Sequence, residues 1–118
     1  MRAKDGVGAY GERVAARHLQ QHGLVVLERN WRCPDGEVDI VAREGDALVF
    51  CEVKTRRSER YGLPVEAVVA AKTARLRRLA GRWLHESGVH AETVRFDVVS
   101  VWPQRSGRAL VEHRRGAF

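Results

Sequence analysis

Glu37-Val38-Asp39-Ile40-Val41-Ala42-Arg43-Glu44-Gly45-Asp46-Ala47-Leu48-Val49-Phe50-Cys51-Glu52-Val53-Lys54 is the stretch on which the fold class turns. Its first six residues alternate between apolar and polar, and Glu44-Gly45-Asp46 carries turn chemistry. Ala47 to Lys54 then returns as a second strand, so the segment reads as a β-hairpin. A two-residue turn at Gly45-Asp46 pairs Glu44 with Ala47, Arg43 with Leu48 and, counting on, Asp39 with Glu52. A four-residue loop from Glu44 to Ala47 gives the same register, whereas a three-residue loop breaks it. In this register the Cβ atoms of Asp39 and Glu52 lie ~4.5–5.5 Å apart. Lys54, two residues beyond Glu52, points to the same face. The run entering Glu52, Leu48-Val49-Phe50-Cys51, is apolar throughout, as in a central strand buried on both faces.

Working upstream, Ala9 to His22 reads as a helix ended by Gly23. Gly8, Glu12, Ala15 and Leu19 fall on one face, flanked by Gly11 and Ala16, small residues that let a helix lie close to a sheet. Glu12 is a carboxylate on that packing stripe. Leu24 to Asn30 reads as a strand, followed by a polar bend through Cys33-Pro34-Asp35-Gly36; Trp31, in the loop just before it, reads as core or edge packing, with stacking on a base as the alternative. Downstream, Arg56-Arg57-Ser58-Glu59-Arg60-Tyr61-Gly62 is an Arg-rich loop. Pro64 opens a second helix running to about Glu86. Leu76, Leu79, Ala80, Trp83 and Leu84 form its apolar stripe, which projects back through Lys72, Val69 and Val65. Lys72 therefore interrupts a buried face. Thr93 to Trp102 reads as a central strand, Ala109 to His113 as an edge strand, and Arg114 to Phe118 as a frayed tail. The order helix, three strands, helix, strand, strand describes one α/β domain over residues 1–118, core about 8–102, with a mixed sheet flanked by two main helices.

The chain has 118 residues and 44% apolar content, ordinary for a single globular core. No run approaches the ~20 apolar residues of a membrane span, and no secretory signal follows Met1-Arg2-Ala3-Lys4, so no membrane partner is expected and the cytoplasm is the expected compartment. Cys33 and Cys51 show no Cys-x-x-Cys spacing; Cys51 reads as a small buried hydrophobe. The 21 basic residues exceed the 15 acidic ones, giving a net charge of +6, and 18 of the 21 are Arg. Such an excess attracts a polyanion, and the guanidinium fork suits phosphate. A basic surface without a specific partner gives the same composition. His18 and His22 sit four apart on a plain exposed helix.

Two carboxylates within ~5 Å repel each other unless a cation lies between them. Mg²⁺ is such a cation, taking oxygen ligands and leaving positions for water and substrate phosphate. Asp39, Glu52 and the carbonyl of Val53 make a candidate ligand set, with Glu12 completing the acidic cluster from the facing helix. Lys54 stands where it can orient water and offset charge on phosphorus. Against this, Glu-x-Lys on a strand with a cross-strand Asp is also a common surface ion pair worth ~0–1 kcal/mol. Arg56, Arg57, Arg60 and Lys72 are the candidate nucleic-acid contacts; Lys72 reads equally as reaching a phosphate or the acidic cluster and as a snorkelling lysine in the helix's first turns. Glu37 shares the Asp39 face and reads as a solvated acid, and Asp97 as a partner of Arg95.

Gly11-Glu12 with Ala15 and Leu19, Gly36-Glu37-Val38-Asp39-Ile40-Val41, Val49-Phe50-Cys51-Glu52-Val53-Lys54-Thr55-Arg56, Ala71-Lys72 and Arg95-Phe96-Asp97-Val98-Val99, in this order, resemble the PD-(D/E)xK nuclease superfamily. The closer resemblance is to the YraN-like family, itself similar to archaeal Holliday-junction resolvases, and it spans about Gly8 to Val101. The resemblance implies a restriction-endonuclease-like fold, an active-site triad of Asp39, Glu52 and Lys54, and Glu12 as an accessory acid. Val38 stands where the superfamily's name has proline. The expected function is a nuclease dependent on Mg²⁺ or Mn²⁺, acting on DNA rather than RNA and on branched or otherwise structured DNA. A homodimer is compatible with that task, since a junction cutter needs two sites. The alternatives are a nucleic-acid-binding module whose nuclease-like site is idle or partner-dependent, and a basic interaction protein for acidic partners.

Overall fold

The hairpin forms in the register its turn dictates: Glu44 pairs with Ala47, Arg43 with Leu48, and the ladder continues to Ile40 with Cys51. Gly45 adopts φ 58°, the left-handed conformation this two-residue turn needs and glycine supplies without strain. The computed structural model describes residues 6–56 and 65–118, with 65–71 described as backbone alone. The elements run α1 (Gly6–Gln21), β1 (Val25–Cys33), β2 (Gly36–Glu44), β3 (Ala47–Thr55), α2 (Val65–Ser87), β4 (Thr93–Trp102) and β5 (Leu110–Arg114). They build one five-stranded sheet in the order β1-β2-β3-β4-β5. Only β3 and β4 are parallel, from Ala47 beside Thr93 to Thr55 beside Val101, and α2 is the crossover such a pair requires. This is the expected α/β class, a mixed sheet with two helices.

The helices cover opposite faces. Ala15, Ala16 and Leu19 of α1 pack with Ile40, Ala42, Val49, Cys51, Val99 and Val101. Leu76, Leu79, Ala80 and Trp83 of α2 pack with Trp31, Val38, Val41, Leu48, Phe50 and Phe96. Alternate residues of β3 thus enter two cores, Leu48 and Phe50 on the α2 side, Val49 and Cys51 on the α1 side. That is why its sequence shows no polar face, and each large side chain fully buried there contributes ~1.5–3 kcal/mol. The indole of Trp83 donates a hydrogen bond to Glu28 Oε1 at 2.8 Å, pinning α2 to β1. Gly11 lets α1 close onto the sheet, since a Cβ there would overlap the Thr55 side chain.

Three expectations need correction. β1 extends through Cys33, so Trp31 is a strand residue, buried against α2, and the bend shrinks to a tight turn joining Cys33 to Gly36. Between Ile40 and Val38 the sheet rolls over, because Val38 joins the α2-side core although it follows the parity of Ile40. The roll coincides with Asn30, at φ 54° the non-glycine positive-φ residue among those described, seated between the pairs Arg29–Ile40 and Trp31–Val38. Finally, the tail is docked. Gly116 N donates to Asp97 Oδ1 at 3.0 Å, Ala117 N donates to the Phe96 carbonyl at 2.8 Å, and Phe118 packs on the α2-side core. Pro64 lies outside the described residues. Among the described residues no helix is long and apolar enough to cross a membrane.

Candidate active site

Below Ile40–Cys51 the hairpin forks. Gly36 to Val38 stay paired with β1, and Glu52 to Thr55 stay paired with β4, but the two arms no longer pair with each other. Asp39 sits at the fork, and its Oδ2 accepts the Val53 N–H at 2.8 Å, taking the role a ladder carbonyl would have had. In an extended strand the N–H and C=O of one residue lie on the same edge, so the Val53 carbonyl also faces the fork. Counted on, the register would set Asp39 across from Glu52, but the ladder ends one step before that pair, at Ile40 with Cys51.

Glu52 continues the α2-facing parity of Leu48 and Phe50. Its Oε1 is shared by two ammonium groups, Lys54 at 3.0 Å and Lys72 at still closer range. Lys72 therefore interrupts the apolar stripe of α2 in order to reach Glu52. Glu52 Oε2 is buried without a hydrogen-bond partner among the described residues. Burial pushes the Glu52 carboxyl up, but the hydrogen bonds from Lys72 and Lys54 outweigh it and hold its pKa below the ordinary value. Burial, and after it the neighbouring Lys54, lower Lys72 against the pull of Glu52. Lys54 is raised, its contacts with Lys72 and Glu52 overcoming burial.

Glu12 of α1 is 1% exposed and bonds to the neighbouring strand β1: its Oε1 accepts Asn30 Nδ2 at 2.8 Å and Arg29 Nε at 3.1 Å. Asn30 faces the Asp39 position, so Glu12 backs the fork from one strand away. Among the described residues no three His, Cys, Asp or Glu side chains gather closely enough to hold a metal ion, so the expected three-carboxylate cluster is not assembled. Arg56 stacks over Trp102, its guanidinium carbon 6.0 Å from the ring centroid, and donates to Ser100 Oγ at 3.2 Å. Arg57 and Arg60 lie outside the described residues. Glu37 is a solvent-exposed partner of Arg32, and His18 and His22 stack on each other with His22 Nδ1 on the His18 carbonyl.

Sequence reasoning missed the residues that hold Glu12. Arg29 gave no signal; Asn30, an amide within a strand pattern, gave a weak one, since Asn tolerates positive φ better than most residues. It also saw only part of the Asp97 cluster. This fully buried carboxylate accepts from Arg95 at 2.9 Å, from Gly116 N, and pairs with His113 Nε2 at 2.7 Å. Arg95 and Arg115 both bind Glu44 in turn. Cys33 and Cys51 are free thiols, and burial raises the Cys51 pKa.

The solved structure of Pyrococcus furiosus SfsA in complex with Ca²⁺ resembles this chain with a TM-score of 0.40 and 12% identity, covering 92% of the chain; the chain spans 62% of that protein's length. A protein of Beutenbergia cavernae described as "UPF0102 protein" is 65% identical over 116 residues, 98% of both chains. Relatives of the same description in a Parafrankia strain and in Streptomyces griseus are 58% and 54% identical, covering all of both chains and 98% of both, respectively. Residues 11–101, from the glycine that seats α1 on β3 to the last strand position paired with Thr55, match one family profile, and the chain belongs to the family described as "Uncharacterised protein family UPF0102".

Proposed function

We propose that the chain hydrolyses phosphodiester bonds in nucleic acid with a divalent cation, Mg²⁺ or Mn²⁺, held at the fork. The observation that carries this reading is the buried Oε2 of Glu52, without a hydrogen-bond partner among the described residues, with two ammonium groups gathered on the other oxygen. A buried carboxylate oxygen left without a donor is costly unless something cationic completes it. Asp39, Glu52 and the Val53 carbonyl offer oxygen donors only, the set a hard cation takes. When bound, such an ion polarises a phosphate oxygen and lowers the pKa of water. Lys54, half exposed at the mouth of the fork, is placed to hold a non-bridging phosphate oxygen and to offset charge that grows on it. The Asp39 carboxylate, fixed by the Val53 N–H, keeps the two strand arms at one separation. Glu12 supports this arrangement from α1 through Arg29 and Asn30 of β1 as an accessory acid, and Arg56 is a phosphate contact. DNA with branched or otherwise non-duplex structure is the proposed substrate, cut by two copies acting together, and two free thiols suit a reducing cytosol.

A second reading is favoured by one specific feature. Lys72 lies closer to Glu52 than Lys54 does, and among the described residues no third acid joins the site, which suits a binding module whose nuclease-like centre is idle. Cleavage of single-stranded, duplex, flapped and four-way DNA with Mg²⁺ and with Mn²⁺, compared between the native chain and Glu52→Gln, separates the two. The nuclease reading expects metal-dependent cutting that Glu52→Gln reduces by at least ~100-fold, the scale of losing one electrostatic contact in a transition state, while salt-sensitive binding persists. Binding without cutting of any form leaves the idle-site reading.

A further inference from the structure

From Ala67 to His85 the chain contains no Asp or Glu, yet it carries Lys72, Arg75, Arg77, Arg78 and Arg82. All these residues lie in α2. An exposed helix of a soluble protein is normally laced with opposite charges three or four residues apart, because like charges at that spacing repel. Here Lys72 and Arg75, Arg75 and Arg78, and Arg78 and Arg82 are all like pairs at that spacing. Arg82 is relieved by Glu86 at 2.8 Å and Asp35 at 3.5 Å. Arg75, Arg77 and Arg78 are exposed, and among the described residues none of the three has a hydrogen bond or ion pair. Elsewhere several acids are already taken by other arginines: Glu12 holds Arg29, Glu37 holds Arg32, Glu44 holds Arg95 and Arg115, and Glu112 holds Arg114.

We propose that the outward face of α2 is the surface along which a nucleic-acid backbone lies as it enters the fork, with Arg75, Arg77 and Arg78 contacting phosphates. This rests on the nuclease reading and extends it by naming where substrate outside the cleaved bond is held. Lys72 fixes the start of the track, since the same helix delivers it to Glu52. At ~1.5 Å per residue, Arg75 and Arg78 follow it by ~4.5 and ~9 Å along the axis. Duplex DNA carries a charge every ~1.7 Å of its length, so several phosphates fall within that reach. Between the arginines the outward face carries Ala74 and Gly81, both exposed, so no bulky side chain holds a backbone away. A lipid surface is a poorer fit: an interfacial helix needs an apolar face to insert, and that of α2 is spent on the core through Leu76, Leu79, Ala80 and Trp83.

The test is fluorescence anisotropy of a fluorescein-labelled DNA oligonucleotide, single-stranded, duplex and four-way, without divalent metal, from about 50 to 200 mM salt. Arg75→Gln/Arg78→Gln is compared with the charge-matched pair Arg17→Gln/Arg43→Gln, one residue on α1 across the sheet and one beside the hairpin turn. The α2 pair is expected to weaken binding by ~10-fold or more and to lower the slope of log affinity against log salt by about 2, one per lost phosphate contact. The matched pair should change affinity by less than about twofold at the same net charge. Thermal melting of the α2 pair should be unchanged or slightly raised, because like-charge repulsion is relieved, which a loss of structure would not produce. Equal weakening by both pairs, or none by the α2 pair, overturns the inference, even if the native chain cuts DNA. Tighter capture by phosphatidylserine vesicles than by DNA, lost in the same variant, overturns the choice of partner. If the native chain binds no form of DNA or RNA, the nuclease reading falls together with this one.

Discussion

Gly11 lies where α1 crosses the end of β3, and a Cβ there would overlap Thr55 Oγ1 and sit 3.0 Å from Thr55 Cβ. The neighbouring residue is Glu12, so the contact that seats α1 also positions the acid behind the fork. Gly11→Ala is expected to destabilise by ~1–3 kcal/mol, the usual range for overpacking a fitted contact. Thr55→Ala in the same chain should restore part of that loss, as coupled neighbours do. Urea unfolding of the two single variants and the double closes this cycle; strict additivity would mean that the helix meets the strand differently. At this scale the sequence was informative wherever one side chain had to serve two demands. Glu12 on a packing stripe, Lys72 on an apolar one and Glu52 at the end of an apolar strand all stood out as polar groups at positions that burial should have made apolar. Their partners were not legible. Which residue answers Glu12 depends on Asn30 adopting a left-handed conformation, and which answers Lys72 depends on how far α2 slides along the sheet.

At the scale of elements, the hairpin was readable down to Ile40 beside Cys51, because a two-residue turn leaves no freedom in register. The parting of its arms was not readable. Nothing in the local pattern of Gly36 to Asp39 says that β2 will follow β1 while β3 follows β4; that follows from the sheet on either side competing for the same strands. The roll between Ile40 and Val38 has the same origin, and it carried Trp31 from an expected loop into the core. Helix α2 gives the second prediction. Gly81 lies inside it on the exposed face, and a Cβ there would meet nothing within 4 Å. Packing within the chain therefore gives no reason for glycine at a position where it weakens a helix by ~0.5–1 kcal/mol relative to Ala. Gly81→Ala should raise the unfolding free energy by that amount, read as a higher denaturation midpoint with an unchanged m-value. A variant less stable than the parent would mean that the helix is bent or closely covered at that point.

For the whole molecule, the decisive feature is how the last residues are tied down. The run Arg114 to Phe118 carries no apolar periodicity, and its partners lie far away in sequence, so it read as frayed. It is held by charge. Arg115 grips Glu44 with two nitrogens, at 3.0 and 2.8 Å, Gly116 N reaches Asp97, and His113 of β5 closes on the same carboxylate. The network spans β2, β4, β5 and the tail, running from Glu44 beside the hairpin turn to Asp97 beside Cys51. Burial pushes Asp97 up, but the hydrogen bonds from His113, Arg95 and the Gly116 N–H outweigh it and hold its pKa at about 2, against an ordinary 3.8. The hydrogen bond from Arg115, opposed by burial and joined by Arg95, holds Glu44 at about 2, against 4.5. A carboxyl whose folded pKa is depressed adds stability in full above its unfolded pKa and loses it as pH falls through the folded one. Thermal melts should therefore be nearly flat in this respect above about pH 5 and decline steadily from about 4.5 down to about 2. Asp97→Asn removes one of the two titrations. The variant should melt lower at neutral pH, because Arg95 and His113 lose a buried anion, yet its midpoint should fall less steeply through the acid range. A variant that declines as steeply as the native chain would place the acid sensitivity elsewhere, and the tail would then be held by the packing of Phe118 rather than by its charges.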